Sequence, residues 1–341
     1  MSYCIIAENN SKDGDCVLTV ERLRHGGIMA NYKCNAACRH CLYACSPGRS
    51  GGYITRETAE VICALLKEGG CRSVHIEGGE PFLDFAGLVR LVTTVLRSGI
   101  RVDYIETNGF WAADEDRAIF YLRTLEQEGA DTLCISLDPF HAEYVPVAYP
   151  LRLAEICKRN RFKHFIWQER FLPALSRVEP GRAHSRKALE QQISPDYVFK
   201  AAQSYGLIMG GRALGIEQEY GKPQPLEEIM TGKQCGRLLS SDHFHVDLYG
   251  KFVPPGCTGI AIPMEEAVRG IPDYKYPAFE ALAAGGVAQL LQYARDQGFT
   301  PAKEYTSCCA LCFYIRQWLC THLTCHELYA EHYEESIKYL C

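Results

Sequence analysis

Cys34, Cys38 and Cys41 stand with three residues between the first two and two between the second pair. Thiolates are soft ligands that hold iron–sulfur clusters. Three of them bind a cubane cluster through three of its four irons. The fourth iron is then free for a substrate or cofactor, which suits chemistry better than electron storage. The spacing also fits one face of a helix, but the neighbours Asn31, Lys33, Asn35, Arg39 and His40 do not make a helix core. Cys45 follows Cys41 after three residues, with Pro47 soon after. That approaches the ferredoxin run of four cysteines ending in proline. The first gap is one residue too long and Ser46 intervenes, so an open cluster is preferred to a saturated one.

A second motif, Gly78-Gly79-Glu80-Pro81, ends an apolar run. Its glycines permit close backbone approach, and Glu80 offers an acceptor for an ammonium group. Both motifs need elements to position them. Gly27-Ile28-Met29-Ala30 reads as a strand that leads into the cysteine loop. Thr55 caps a helix with Ile62, Leu65 and Leu66 at helical spacing. Ser73 to Ile76 is the second strand, Arg101 to Ile105 the third, Thr132 to Leu137 the fourth and Phe162 to Trp167 the fifth. Helices carrying Leu88, Leu91, Val92 and Val95, then Asp114 to Gln127, then Leu151 to Arg159, alternate with them. Val198–Tyr205 and Leu207–Met209 make a sixth helix–strand pair. Six βα units predict an α/β fold, a partial (β/α)6 TIM-like barrel, with the motifs at one mouth. Ligands bind at the carboxyl ends of such strands.

Composition narrows the class. The chain has 341 residues, 47% of them apolar, and a formal net charge of −5. Nothing there favours nucleic acid, and no apolar run is long enough to span a membrane. The start lacks a basic segment of the secretory kind, so among the eighteen cysteines those clustered at 34–45 and 308–325 read as metal or cluster ligands in a cytoplasmic protein rather than as disulfides, and Cys63, Cys134 and Cys157, in apolar periodic segments, as core residues. Residues 168–195 read as an insertion. Lys158 to Lys187 carries nine Lys/Arg against two Glu, a solvated face or a site for an anionic partner.

The triplet and Gly78-Gly79-Glu80-Pro81 together resemble the radical S-adenosylmethionine superfamily, over roughly residues 26–214, after an N-terminal segment of residues 1–25. The resemblance implies a [4Fe–4S] cluster on Cys34, Cys38 and Cys41, whose open iron chelates S-adenosylmethionine. Glu80, with the Gly78-Gly79 backbone, would hold the cofactor's amine. Reductive cleavage would then yield a 5′-deoxyadenosyl radical that takes hydrogen from a peptide or small metabolite, with a ferredoxin or flavodoxin as reductant. One departure is His40, where a larger aromatic is usual before the third cysteine. Asn108, Ser136 and Asp138, at the next strand ends, become cofactor contacts, with ordinary turn formation as the alternative. His141 is a candidate proton donor, and Arg212 a candidate carboxylate clamp.

Alternation stops after Gly215. The tail, residues 215–341, contains a predicted hairpin over His243–Leu248 and Lys251–Val253, turning at Tyr249-Gly250. Cys235, Cys257, Cys309 and Cys312 make a second constellation, with the last two at the two-residue spacing of a cluster or zinc site. It is similar to the SPASM and twitch extensions of radical enzymes, which implies one auxiliary [4Fe–4S] cluster. Cys308, Cys320, Cys325 and Cys341 remain for a second. The rival class is a non-catalytic iron–sulfur carrier or scaffold, in which Cys45 closes the first site.

Overall fold

A computed structural model describes residues 18, 20, 23–230, 235 and 237–339. Most of the segment 1–25 and Cys341 lie outside the described residues. β1 (His25–Met29) leads into the cysteine loop. Then α1 (Arg56–Glu68), β2 (Ser73–Glu77), α2 (Phe85–Arg97), β3 (Arg101–Thr107), α3 (Glu115–Glu128), β4 (Thr132–Ser136), α4 (Ala148–Asn160) and β5 (Lys163–Trp167) alternate. The stretch expected as an insertion holds the short helices α5 (Leu172–Leu175) and α6 (Arg186–Gln192). After it come α7 (Tyr197–Tyr205) and α8 (Ala213–Tyr220).

The tail adds β6 (Gln224–Pro225), α9 (Leu226–Ile229), β7 (Asp242–Val246), β8 (Lys251–Val253) and β9 (Ile262–Pro263). It ends with α10 (Met264–Arg269), α11 (Pro277–Asp296), β10 (Glu304–Tyr305), α12 (Cys308–His322) and α13 (Ala330–Ile337).

Local chemistry starts the first three helices. Thr55, Asp84 and Asp114 accept the backbone N–H of Thr58, Gly87 and Arg117 and so cap α1, α2 and α3. Successive strand residues point to opposite faces. On β2, Val74 and Ile76 join the buried core with Leu88, Leu91, Val92 and Val95 of α2. Each such side chain contributes about 1.5–3 kcal/mol when fully buried. His75 and Glu77 alternate with them, so their side chains take the other face.

Among the described residues the main sheet is open and has eight strands in the order β5-β4-β3-β2-β1-β7-β8-β9. β1 to β5 are parallel, as the βα alternation requires. The hairpin forms as expected from β7 and β8, with the Asp247 carboxylate accepting the N–H groups of Tyr249 and Lys251 across its turn. Its first strand also pairs in parallel with β1. The sixth parallel strand is therefore β7, on the β1 side, and not Leu207–Met209 beyond β5. Leu207–Met209 is irregular because its continuation bonds elsewhere. The Arg212 N–H donates to the Cys41 carbonyl, and a Cβ on Gly211 would lie 2.2 Å from the Leu42 carbonyl oxygen. The chain thus crosses to the cysteine loop instead of running beside β5. No described helix is long and apolar enough to cross a membrane.

Candidate active site

Cys34, Cys38, Cys41 and Cys45 line one cavity of about 530 Å³ with Gly78, Gly79, Asn108, Ser136 and His141. Two neighbouring strand ends build it. The Gly79 N–H donates to the Asn31 carbonyl at 2.8 Å, and the Glu80 N–H to the Lys33 carbonyl at 3.0 Å. The Asn31 side chain answers by donating to the Glu80 carbonyl at 3.1 Å. This approach demands glycine, since a Cβ at Gly79 would lie 2.2 Å from the Lys33 carbonyl oxygen. From β3, the Asn108 side chain donates to Asn35 at 2.8 Å and reaches Cys34 Sγ at 3.9 Å.

Burial pushes the Cys34 and Cys38 thiols up. A hydrogen bond between Cys41 and Cys45 holds the Cys41 thiol down and the Cys45 thiol up. Cys45 is thus beside the triplet, and its N–H approaches Cys41 Sγ at 3.4 Å. Arg212 supplies the nearby positive charge, and its placement corrects the expected role. Its side chain is fully buried, donating to the Cys38 carbonyl at 2.9 Å and the Cys45 carbonyl at 2.5 Å. It clamps the cysteine loop and is not among the cavity's lining residues. The tail secures the same loop: the Ser46 hydroxyl donates to Glu335 at 2.6 Å, and Thr258 to the Leu42 carbonyl at 2.7 Å.

The Glu80 side chain is also turned inward. Its carboxylate accepts from the Phe82 N–H at 3.1 Å, Thr107 at 2.9 Å and the Asn108 N–H at 2.8 Å. Burial nevertheless pushes it up to about 7. A carboxylate has roughly four lone-pair sites, so three bonds leave about one for a further donor. Gly78, Gly79 and Pro81 face the cavity itself.

Asp138 is fully buried and accepts the N–H groups of Phe140 and His141 on Oδ1, both at 2.9 Å. Its Oδ2 lies 2.7 Å from His141 Nδ1 and accepts from Tyr205 at 3.3 Å. Burial would raise Asp138, but the charges of His141 and His40 outweigh it and hold the acid well below its usual range. For His141 burial works downward, and Asp138 overcomes it, so the imidazole titrates above its ordinary value. The result is an oriented Asp–His dyad with its histidine at the cavity wall. His40 stacks on Phe140 at 4.8 Å and is held down to about 4, chiefly by burial.

Several cavity residues carried no signal in motif spacing. Glu77, Glu106, His243 and His245 line the same space, with His75 buried behind them. A polar residue at every second position of a buried strand, as in His75-Ile76-Glu77 and His243-Phe244-His245, was the available clue. Burial lowers His75 to about 3 and holds His245 well below its ordinary value.

The second constellation also converges. Cys235 Sγ and Cys257 Sγ are 4.0 Å apart, and their hydrogen bond holds Cys235 down and Cys257 up. Cys312 and Cys309 interact with Cys235 from the first turns of α12, and Cys308 joins them. The buried Arg316 sits against Cys257 and Cys312. Cys320 and Cys325 form a separate pair near Glu327. Among the described residues no three cysteine sulfurs lie within 4.8 Å of one another. A single zinc with bonds of about 2.3 Å would draw its four sulfurs to about 3.8 Å.

Residues 28–126, which include the triplet and the Gly-Gly-Glu-Pro turn, match a family described as a 4Fe-4S single cluster domain. The putative peptide biosynthesis protein YydG of Bacillus subtilis (strain 168) is 27% identical over 118 residues, 35% of this chain and 37% of that protein. The matched segment is thus well under half of that relative. Similar solved structures include BtrN in complex with AdoMet and 2-DOIA (14% identity, 80% of this chain and 91% of that one, TM-score 0.40). Another is SuiB of Streptococcus suis bound to precursor peptide SuiA (14% identity, 81% and 74%, TM-score 0.36). The family match takes in the cysteine triplet and the glycine turn and ends at residue 126. The three thiols, the glycine turn and the adjoining cavity fit a [4Fe–4S] cluster of the kind that family's description names.

Proposed function

We propose that the chain is a peptide-modifying radical enzyme whose cysteine-rich tail, residues 215–341, carries an auxiliary cluster. One observation carries the reading: Cys34, Cys38 and Cys41 open with Gly78-Gly79 into a cavity that continues past the ends of four parallel strands. The open sheet is read as a partial barrel around that cavity. When bound and reduced, the cluster with S-adenosylmethionine supplies a carbon-centred 5′-deoxyadenosyl radical that takes hydrogen from a substrate.

The chain's own residues do the rest. Arg212 and the Gly79 contacts hold the three thiols in place. Glu80 fixes the ends of β2 and β3 together and keeps one acceptor site for the cofactor's amine. Asn108 and Ser136 offer polar contacts along the wall. His141, oriented by Asp138, holds a proton at Nε2 where a substrate group can take it. Phe165 and Trp167, 40% and 49% exposed, provide apolar surface on β5 for substrate side chains. The relative named for peptide biosynthesis favours a peptide over a small metabolite. Cys235, Cys257, Cys309 and Cys312 are the proposed auxiliary ligands. A ferredoxin or flavodoxin would supply the electron.

The test is anaerobic reconstitution with dithionite and S-adenosylmethionine, following 5′-deoxyadenosine and its deuterium content with labelled peptides. Cys34→Ala should abolish 5′-deoxyadenosine formation, and parent-like yield would refute the assignment. A second reading is favoured by the contact of Cys45 with Cys41: a saturated, non-catalytic cluster. Cys45→Ala separates the two. An enzyme keeps its cluster and its cofactor-dependent paramagnetic resonance change, whereas a carrier loses the cluster.

A further inference from the structure

On the cavity side of the sheet, histidines from two strands meet across a third. His75 on β2 and His245 on β7 place their Nε2 atoms 3.1 Å apart. β1 runs between them and gives way through Gly27. A Cβ there would lie 2.4 Å from His75 Nε2 and 2.5 Å from His245 Cδ2. Glu77, two residues beyond His75, brings Oε1 to 3.1 Å from His245 Nε2. That oxygen makes no hydrogen bond, although Glu77 is only 7% exposed. An unpartnered buried carboxylate oxygen is costly and calls for a positive charge.

The distances suit a shared ion. Two donors about 2.05 Å from one metal are about 3.3 Å apart at a tetrahedral angle and about 2.9 Å apart at a right angle. Both measured separations fall between these values. The outer contacts also fit a ligand site. The Tyr43 hydroxyl lies 2.5 Å from His245 Nδ1, which leaves Nε2 to face inward. His75 bonds the Gly26 backbone and is sandwiched between Tyr104 at 5.0 Å and His243 at 5.1 Å.

His243 is the third imidazole. One ligand nitrogen from each of His75, His243 and His245 lies within 4.8 Å of the others. His243 occupies a bulge in β7, where His25 pairs with Asp242 and Gly26 with Phe244. Its φ is +63°, a left-handed conformation that costs a non-glycine residue on the order of 1–2 kcal/mol. Bulges of this kind re-aim side chains beside functional sites.

We propose that His75, His243 and His245, with the Glu77 carboxylate beside His245, hold a divalent transition-metal ion such as Zn²⁺ or Fe²⁺, separate from the iron–sulfur sites. Two or three imidazoles and a carboxylate make a borderline donor set for these ions. Glu106 flanks it as a further carboxylate. Glu77, His243 and His245 line the cavity, so the site is reached from it. The site does not depend on the activity proposed above, since it is read from ligand geometry alone.

The test is a cobalt(II) titration of the anaerobically reconstituted holoprotein, with zinc and iron per chain measured on the protein as purified. The expected result is one cobalt per chain with nitrogen–oxygen d–d bands and no added thiolate-to-cobalt charge transfer. His75→Gln and His245→Gln should each weaken binding at least tenfold. His243→Gly guards against misfolding, because glycine relieves the positive φ. It should melt at or above the parent temperature, keep the parent's cluster content and still bind cobalt more weakly. No nitrogen–oxygen cobalt signal in the parent would overturn the proposal. So would a signal unchanged in His243→Gly and in whichever glutamine variants fold, or one that appears only as thiolate charge transfer.

Discussion

Replacing Gly79 by alanine should pull the two halves of the cofactor site apart. The added Cβ would lie 2.2 Å from the Lys33 carbonyl oxygen, 2.5 Å from the Lys33 carbonyl carbon and 2.9 Å from the Tyr32 carbonyl oxygen. These are backbone atoms, so no flexible side chain can yield. Relaxed carbon–oxygen contact needs about 3.3 Å, which forces a shift of about 1 Å. The bonds from Gly79 N–H to Asn31 and from Glu80 N–H to Lys33, 2.8 and 3.0 Å long, cannot survive it. Two lost hydrogen bonds at about 1 kcal/mol each, with about 1–3 kcal/mol of overpacking, give about 3–5 kcal/mol. At about 2–4 °C per kcal/mol, melting should fall by about 6–20 °C. A displacement of about 1 Å at a positioning group also costs on the order of 100-fold in rate. Thermal melting, iron content and 5′-deoxyadenosine yield read the three effects. Gly52→Ala, with no heavy atom within 4 Å of its added Cβ, is the matched control and should be neutral. If Gly79→Ala melted, loaded iron and cleaved cofactor like Gly52→Ala, the close approach would not be what builds the site.

Arg212→Lys should lower the iron-to-protein ratio, because one ammonium cannot reproduce the two directed bonds to the Cys38 and Cys45 carbonyls. A parent-like ratio would contradict the clamp. Asp138→Asn removes the charge that raises His141. A raised histidine contributes stability below its unfolded value of about 6.5 and loses it as pH rises through the folded value. The melting difference between parent and variant should therefore be larger near pH 6 than near pH 9, and a constant difference would count against the dyad. Glu106 is pushed up to about 7, mainly by burial, so its folded form keeps a proton that the unfolded chain releases. It should make the parent lose stability as pH rises from about 4.5 to 7. Glu106→Gln should flatten that slope in melting curves, and parallel curves would refute it.

The cysteine triplet, the glycine turn, five strands and the hairpin were legible because each is local. Spacing, period-two alternation and capping residues act within a few positions along the chain. Leu207–Met209 misled because a short apolar run says nothing of where its backbone bonds go. Arg212 read as a ligand group and Glu80 as a cofactor group alone, without their structural bonds, because both are charged residues beside strand ends. Their partners, the Cys38 and Cys45 carbonyls and the Thr107 and Asn108 donors, lie 27 to 174 positions away. Such pairings are set by folding, and no local pattern marks them.

Residue type and short spacing by themselves determined the thiol triplet, the glycine turn and the alternating α/β core. Only the tertiary structure decided that β7 completes the parallel sheet beside β1. That pairing brings His243 and His245 from the tail to His75 and Glu77, across a strand where glycine leaves room. The distinction is physical. A thiolate's affinity for iron and a strand's alternation are properties of neighbours in sequence. A shared cavity wall is a property of strands adjacent only after hydrogen bonding closes some 170 residues of chain.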